Sequence, residues 1–155
     1  MRMGFILSFM FFSLSVYSQD NFVFCENVGS SKSVFFHKTI RKSDEFTNCH
    51  IVLIKWKYYD DELSKQIGIL KDTYDKSYLN NPDSLSYKTD LCVIDLVNNK
   101  YKILTYTYYS NDGNVIYSHN FSSQRELEYA LPGTVMDNIT IKIYNYLTKN
   151  VLYEN

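Results

Sequence analysis

Alternation of apolar and polar positions is the strongest signal in this chain, and it is clearest over residues 49–59. Val52, Ile54, Trp56 and Tyr58 fall on one side with period two, while on the other side Ile51 and Leu53 give way to Lys55 and Lys57. That pattern predicts a central strand with one core face and one face that turns wet. Two shorter strands, 22–25 and 33–38, precede it across the turn-rich stretch 27–32 with Gly29. The period then changes. Leu63, Ile67, Leu70 and Tyr74 follow at i, i+4, i+7 and i+11, the stripe of a short helix over 60–74 with Asp60 or Asp61 to cap it. Gly68 inside that helix costs about 1 kcal/mol relative to Ala. Residues 75–87 carry Asn80-Asn81-Pro82-Asp83-Ser84 and read as a surface loop.

Residues 88–121 predict a three-stranded meander. Asn98-Asn99 reads as a two-residue hairpin turn, because Asn tolerates positive φ. That turn pairs Leu96 with Tyr101, Asp95 with Lys102, Ile94 with Ile103 and Cys92 with Thr105. Cys92, Ile94, Leu96, Tyr101 and Ile103 then share the core face, and the Asp95–Lys102 pair on the other face is worth about 0.2–1 kcal/mol. A slip of one residue would drive Asp95 into the apolar face, which specifies the register. Asn111-Asp112-Gly113 turns the chain back into a third strand, 114–121.

The tail is ambiguous by pattern. Thr134 followed by Asp137 resembles a capping box, and Val135, Ile139, Ile143 and Tyr146 form a helical stripe. Ile139, Ile141 and Ile143 against Thr140 and Lys142 also alternate as a strand, which their β-branching favours. Periodicity does not separate the two.

Residues 1–18 have the layout of a secretory signal peptide. Arg2 supplies the charge, 4–16 the apolar run, and Val16 and Ser18 the small-residue approach to cleavage before Gln19. A membrane span needs about 20 apolar residues, and Ser8, Ser13 and Ser15 interrupt this shorter run. The expectation is an exported single domain over 19–155, periplasmic, outer-membrane-associated or secreted, with no stable membrane insertion after cleavage. The 155 residues carry 16 Lys+Arg against 17 Asp+Glu, a net charge of -1, which removes the electrostatic case for nucleic acid. Aromatic content of 17% and only 5 Gly and 2 Pro exclude a disordered or low-complexity chain.

Catalysis needs convergent groups, and no nucleophile elbow, zinc-protease helix, phosphate loop or dinucleotide fingerprint occurs in the sequence. His37, His50 and His119 each stand alone, and the spacing of Cys25, Cys49 and Cys92 matches no zinc motif. Asp60-Asp61-Glu62 reads as a helix start. Asn111-Asp112-Gly113-Asn114 lacks the closing Glu and flanking helices of a calcium loop and reads as a hairpin turn. Asn120-Phe121-Ser122 and Asn138-Ile139-Thr140 match the N-glycosylation pattern. No catalytic residue, metal ligand or cofactor is therefore assigned. Tyrosine is the residue in excess. On the presumed Lys102 face, Leu104, Tyr106 and Tyr108 continue outward, and Lys102, Leu104, Tyr106 and Tyr108 form the candidate partner-binding patch.

From Asp90 to Leu147 the chain resembles the surface-adhesin protein E-like family of secreted Gram-negative bacterial proteins. The resemblance rests on Asp90-Leu91-Cys92, Lys100-Tyr101-Lys102-Ile103-Leu104, Tyr108-Tyr109-Ser110-Asn111-Asp112-Gly113-Asn114-Val115-Ile116 and Pro132-Gly133-Thr134, with Trp56-Lys57 upstream. It implies an antiparallel sheet with the tail as a helix packed on it; together with the periodicity, the expected fold is α+β, a sheet of five or six strands with that C-terminal helix and one short extra helix. It also implies a binding role towards host or matrix proteins and leaves a homodimer open. The family's second Cys, in the C-terminal helix, is missing between Gly133 and Asn155, so packing alone must hold the helix and Cys92 loses its usual partner. Residues 60–87 have no counterpart that aligns. One bridge and one leftover thiol are expected, with Cys25–Cys49 the candidate pair if their strands adjoin, and Cys92 able to capture either. The functional expectation is an exported, non-catalytic binding protein with a protein partner. An accessory factor (an inhibitor or envelope-assembly partner) is the alternative, and a small exported hydrolase comes third.

Overall fold

A computed structural model describes residues 21–121 and 126–151; the predicted signal peptide, 1–18, lies outside them. The fold is α+β, an antiparallel sheet with one helix at the C-terminus and one inserted between central strands. Strands β1 (Phe22–Asn27), β2 (Lys32–His37), β4 (Cys49–Tyr58), β5 (Leu85–Asp95), β6 (Lys100–Ser110) and β7 (Val115–Asn120) follow one another across the sheet in chain order. The two-residue strands β3 (Arg41–Lys42) and β8 (Glu128–Tyr129) extend the sheet against β4 and β6. Helix α1 (Asp60–Thr73) interrupts the meander between β4 and β5, and α2 (Val135–Val151) ends it.

Both helices cover the same face. Under α2, the fully buried Ile139 and Ile143 meet Val34, Phe36, Val52, Ile54, Cys92 and Ile94. Under α1, Leu70 meets Tyr58, Leu85, Tyr108 and Ile116. The tail is a helix because the central strands bring an apolar face that needs a lid, and Ile139 and Ile143 lie one helical turn apart on the side that supplies it. Thr134 caps α2 as the capping-box pattern predicts: its hydroxyl accepts from the Asp137 amide at 3.3 Å, and Asp137 Oδ2 accepts from the Gly133 amide at 2.8 Å. Asn99 Nδ2 donates to Asp137 Oδ1 at 2.7 Å, fastening the helix start to the β5–β6 turn. Helix α1 starts otherwise than predicted. Tyr59 is its N-cap, without a side-chain capping bond, and Asp60 adopts a φ of 47°. The acidic first turn supports the helix through the macrodipole and through Glu62, which accepts from Gln66 Nε2 at 2.9 Å.

The β5–β6 register corrects the sequence expectation. Asp95 stands opposite Lys100, Ile94 opposite Tyr101, Val93 opposite Lys102 and Cys92 opposite Ile103. The loop is therefore Leu96–Val97–Asn98–Asn99, with positive φ at Asn99 only. Asp95 dictates this: its Oδ1 accepts from the Val97 and Asn98 amides, both at 3.0 Å, and its Oδ2 from Asn98 Nδ2 at 2.7 Å. A carboxylate collecting amides two and three residues on makes an Asx-type turn. A shift of two leaves every side chain on its face, so the apolar pattern that forbids a one-residue slip permits this one.

A bulge follows. Leu91 pairs with Thr105 while Cys92 pairs with Ile103, so Leu104 is the extra residue. An extra residue reverses which side chains point to which face beyond it. Lys102 accordingly lies on the helix-free face with Val93, while Tyr106 and Tyr108, opposite Asp90 and Lys88, lie on the helix-covered face.

A candidate ligand cleft on the helix-free face

The face of the sheet opposite the helices carries a cleft of about 400 Å³. Its walls come from period-two alternation in three strands: Phe22 and Phe24 on β1, Phe35 on β2, Lys55 and Lys57 on β4. Phe24 stands opposite Phe35, their rings edge-on at 5.6 Å. Tyr59 and Tyr87 add rings, and the β6–β7 turn, Asn111-Asp112-Gly113, closes the end beside Ser86. Tyr87 stacks on Tyr109 at 4.9 Å, which fixes that wall.

The two lysines lie along this aromatic lining. Lys55 Nζ is 4.3 Å from the Tyr87 ring centre and 5.2 Å from that of Phe22, and Lys57 Nζ is 5.4 Å from that of Tyr59. Their aliphatic stems cover apolar surface while the ammonium groups face the ring clouds. Burial, followed by repulsion from Lys57, pulls the Lys55 pKa below its ordinary value. Among the described residues, no carboxylate lies within ion-pair distance of Lys55 or Lys57. The cleft thus sets two cationic groups on an aromatic lining.

A second polar feature sits on the helix-covered face. Asp90 is 2% exposed at the centre of the sheet, accepting from Trp56 Nε1 at 2.6 Å and paired with Lys88 Nζ at 3.0 Å. Burial raises its pKa, against the opposing pull of Lys88 and Trp56. Lys88 also lies 5.6 Å from the Trp56 ring centre, and Lys32 5.7 Å. Oδ2 is held by the Trp56 donor, whereas Oδ1, buried and close to the Lys88 ammonium, makes no hydrogen bond. Trp56 occupies the core face with Val52 and Ile54 as its alternation predicts, and packs against both helix-side clusters.

The candidate partner patch is divided by the Leu104 bulge. Lys102 is 4% exposed, with its ammonium 5.3 Å from the Phe46 ring centre on the helix-free side. Tyr108 is buried in the cluster under α1. Tyr106 bonds its hydroxyl to that of Tyr74 and stacks with His119 on the helix-covered side. The four residues do not form one surface. The cysteine expectation is corrected too. Cys25, Cys49 and Cys92 are all free thiols, and β2 lies between β1 and β4, so Cys25 and Cys49 are not on adjoining strands.

The three histidines lie apart from one another, His50 with its Nδ1 buried and without a hydrogen bond. His37 Nδ1 accepts from the Thr39 amide at 3.1 Å, burial and Lys42 lower the His50 pKa, and His119 packs on Tyr106 and Phe121. Among the described residues no group of three or more His, Cys, Asp or Glu is placed to hold a metal ion, and no helix is long and apolar enough to cross a membrane. The cleft lysines were visible in the sequence as the wet half of the central strand. Their company was not, because it depends on β1 and β2 stacking beside β4. The Asp90 pair did leave a signal: Lys88 and Asp90 continue the core-face alternation of Cys92 and Ile94, where only paired charges survive. No protein-family model matches this chain, and no match is found among curated proteins or among solved structures.

Proposed function

We propose that this chain is an exported, non-catalytic binding protein of the bacterial envelope or surface, holding part of a protein partner in the cleft on its helix-free sheet face. One observation carries the reading: an open cleft with five aromatic rings and two lysines without carboxylate partners among the described residues. Rings and cations in a concave site are what binding surfaces concentrate. Export is supported by the charge, apolar run and small-residue boundary of residues 1–18. The resemblance to adhesin E-like proteins points to the same kind of role.

The test combines processing, location and capture. Expressed with its leader in a Gram-negative host, the protein begins at Gln19, is recovered outside the cytoplasm, and captures a partner from envelope or matrix proteins. Capture fails for Phe24→Ser and persists for Tyr144→Ser on the exposed side of α2. Retention of Met1 in a membrane fraction, or equal capture by both variants, contradicts the reading. Protection from protease on intact cells would replace the surface role by a periplasmic accessory one.

A further inference from the structure

We infer that the cleft recognises an acidic side chain carried beside an apolar one on the protein partner, with Lys55 and Lys57 binding the carboxylate and the Phe24–Phe35 wall taking the neighbour. The inference rests on the cleft being the ligand site. Four observations select that chemistry. Lys55 and Lys57 project from the same face of β4, two residues apart, so both ammonium groups reach one small region. Their contacts in the described structure are to rings, which leaves donor capacity for an anion. Phe24 is 49% exposed at the lip, an apolar surface that a carboxylate alone would leave bare. Asp112, on the turn that lines the cleft, adds one negative charge to its wall. That charge opposes a chain of anions, such as nucleic acid or a sulfated polysaccharide, more than a single acidic group held by the two lysines. The volume, about 400 Å³, accommodates two neighbouring side chains and little more.

The site works by exchange. An incoming carboxylate draws the ammonium groups from the ring faces into charge-assisted hydrogen bonds, which are stronger than cation–ring contacts at a half-open site. The apolar neighbour packs on the Phe24–Phe35 wall. Repulsion between Lys55 and Lys57 is relieved by the same step.

The experiment is a nuclear magnetic resonance titration of the purified protein with two capped probes, acetyl-Phe-Glu-amide and acetyl-Phe-Gln-amide, identical except for the charge. The expected result is that the Glu probe shifts resonances of Phe24, Lys55 and Tyr87 and binds at least fivefold tighter than the Gln probe. Lys55→Met and Lys57→Met, which keep the apolar stem, each abolish that preference. Asp112→Asn, on an exposed turn, increases affinity for the Glu probe. A long polyanion (heparin) competes less well with wild type than with Asp112→Asn. Equal binding of both probes in the cleft overturns the acidic specificity while keeping the cleft as the ligand site. Shifts confined to other surfaces, or no binding of either probe, overturn the inference and remove the support it takes from the cleft.

Discussion

Asp90 shows how much one buried charge demands of its neighbours. A carboxylate taken out of water needs fixed donors, and Trp56 Nε1 and Lys88 Nζ are the two that the sheet aligns with it. Trp56→Phe keeps most of the ring's packing and deletes one donor, so it isolates the hydrogen bond from the hydrophobic contact. A loss of about 1–3 kcal/mol in a denaturant melt is expected, the cost of leaving a buried acceptor short of a partner. A loss within 0.5 kcal/mol would show that Asp90 finds another donor. Trp56→Ala removes packing as well and is expected to cost about 3–5 kcal/mol. The core placement of Trp56 was legible from alternation with Val52 and Ile54; its polar duty was not, since nothing local to either residue joins positions 56 and 90.

Among the elements, the β5–β6 hairpin separates what pattern reveals from what it leaves open. Alternation identified both strands and the correct face for Cys92, Ile94, Tyr101 and Ile103. It did not set the register, because a two-residue shift conserves faces, and the turn is selected by the Asp95 side chain instead. Asp95→Ala is expected to cost about 1–3 kcal/mol by orphaning charge-assisted bonds to the loop amides. A double-mutant cycle between Asp95 and Lys100, its cross-strand partner, is expected to give coupling of about 0.2–1 kcal/mol, and no coupling would contradict this register. Burial works upward on the Asp95 pKa, but bonds from Asn98 and Val97 hold it below its ordinary value. That contribution is present at neutral pH and lost as pH falls through the acidic range. The bulge at Leu104 escaped pattern reading because both sides of it alternate regularly. It nevertheless moved Tyr106 and Tyr108 to the opposite face from Lys102. Periodicity left the tail open between helix and strand, and the observed helix covers the sheet's core face over Val52, Ile54 and Cys92.

At the scale of the molecule, the helix-covered face gathers groups that resist ionisation. Burial raises the Cys25 thiol to about 12, with Lys142 opposing, and pushes Cys92 well up; burial also raises Tyr58, and takes Tyr108 to about 12. In the unfolded chain these groups ionise near pH 9 for the thiols and near 10 for the phenols. Folded pKa values above the unfolded ones mean that the native state holds more protons. Stability is therefore intact below about pH 9 and is lost between there and about 12, by about 1.4 kcal/mol per pH unit for each group. Melts from pH 7 to 11 are expected to show a plateau and then a fall that steepens above 10, and a flat profile through pH 11 would contradict the burial of these groups. Thiol titration is expected to find no fast-reacting Cys25 or Cys92 in the native protein and three thiols after denaturation without reductant. The helix over 60–74 and the main strands were written in the periodicity, whereas the tail alternated equally well as a helix or a strand. The cleft was not, since its walls come from separate strands and one distant turn.

The central claim is that ligand contact occurs on the helix-free face. Phe24 and Tyr144 test it as a matched pair, because they are 49% and 54% exposed on opposite sides of the molecule. A photo-crosslinking phenylalanine analogue placed at each position in turn, and irradiated with envelope or matrix fractions, reads contact directly. The account predicts a discrete adduct from position 24 that Lys55→Met weakens, and none from position 144. Adducts from 144 alone would contradict it, and adducts from 24 unaffected by Lys55→Met would contradict the role of the lysines.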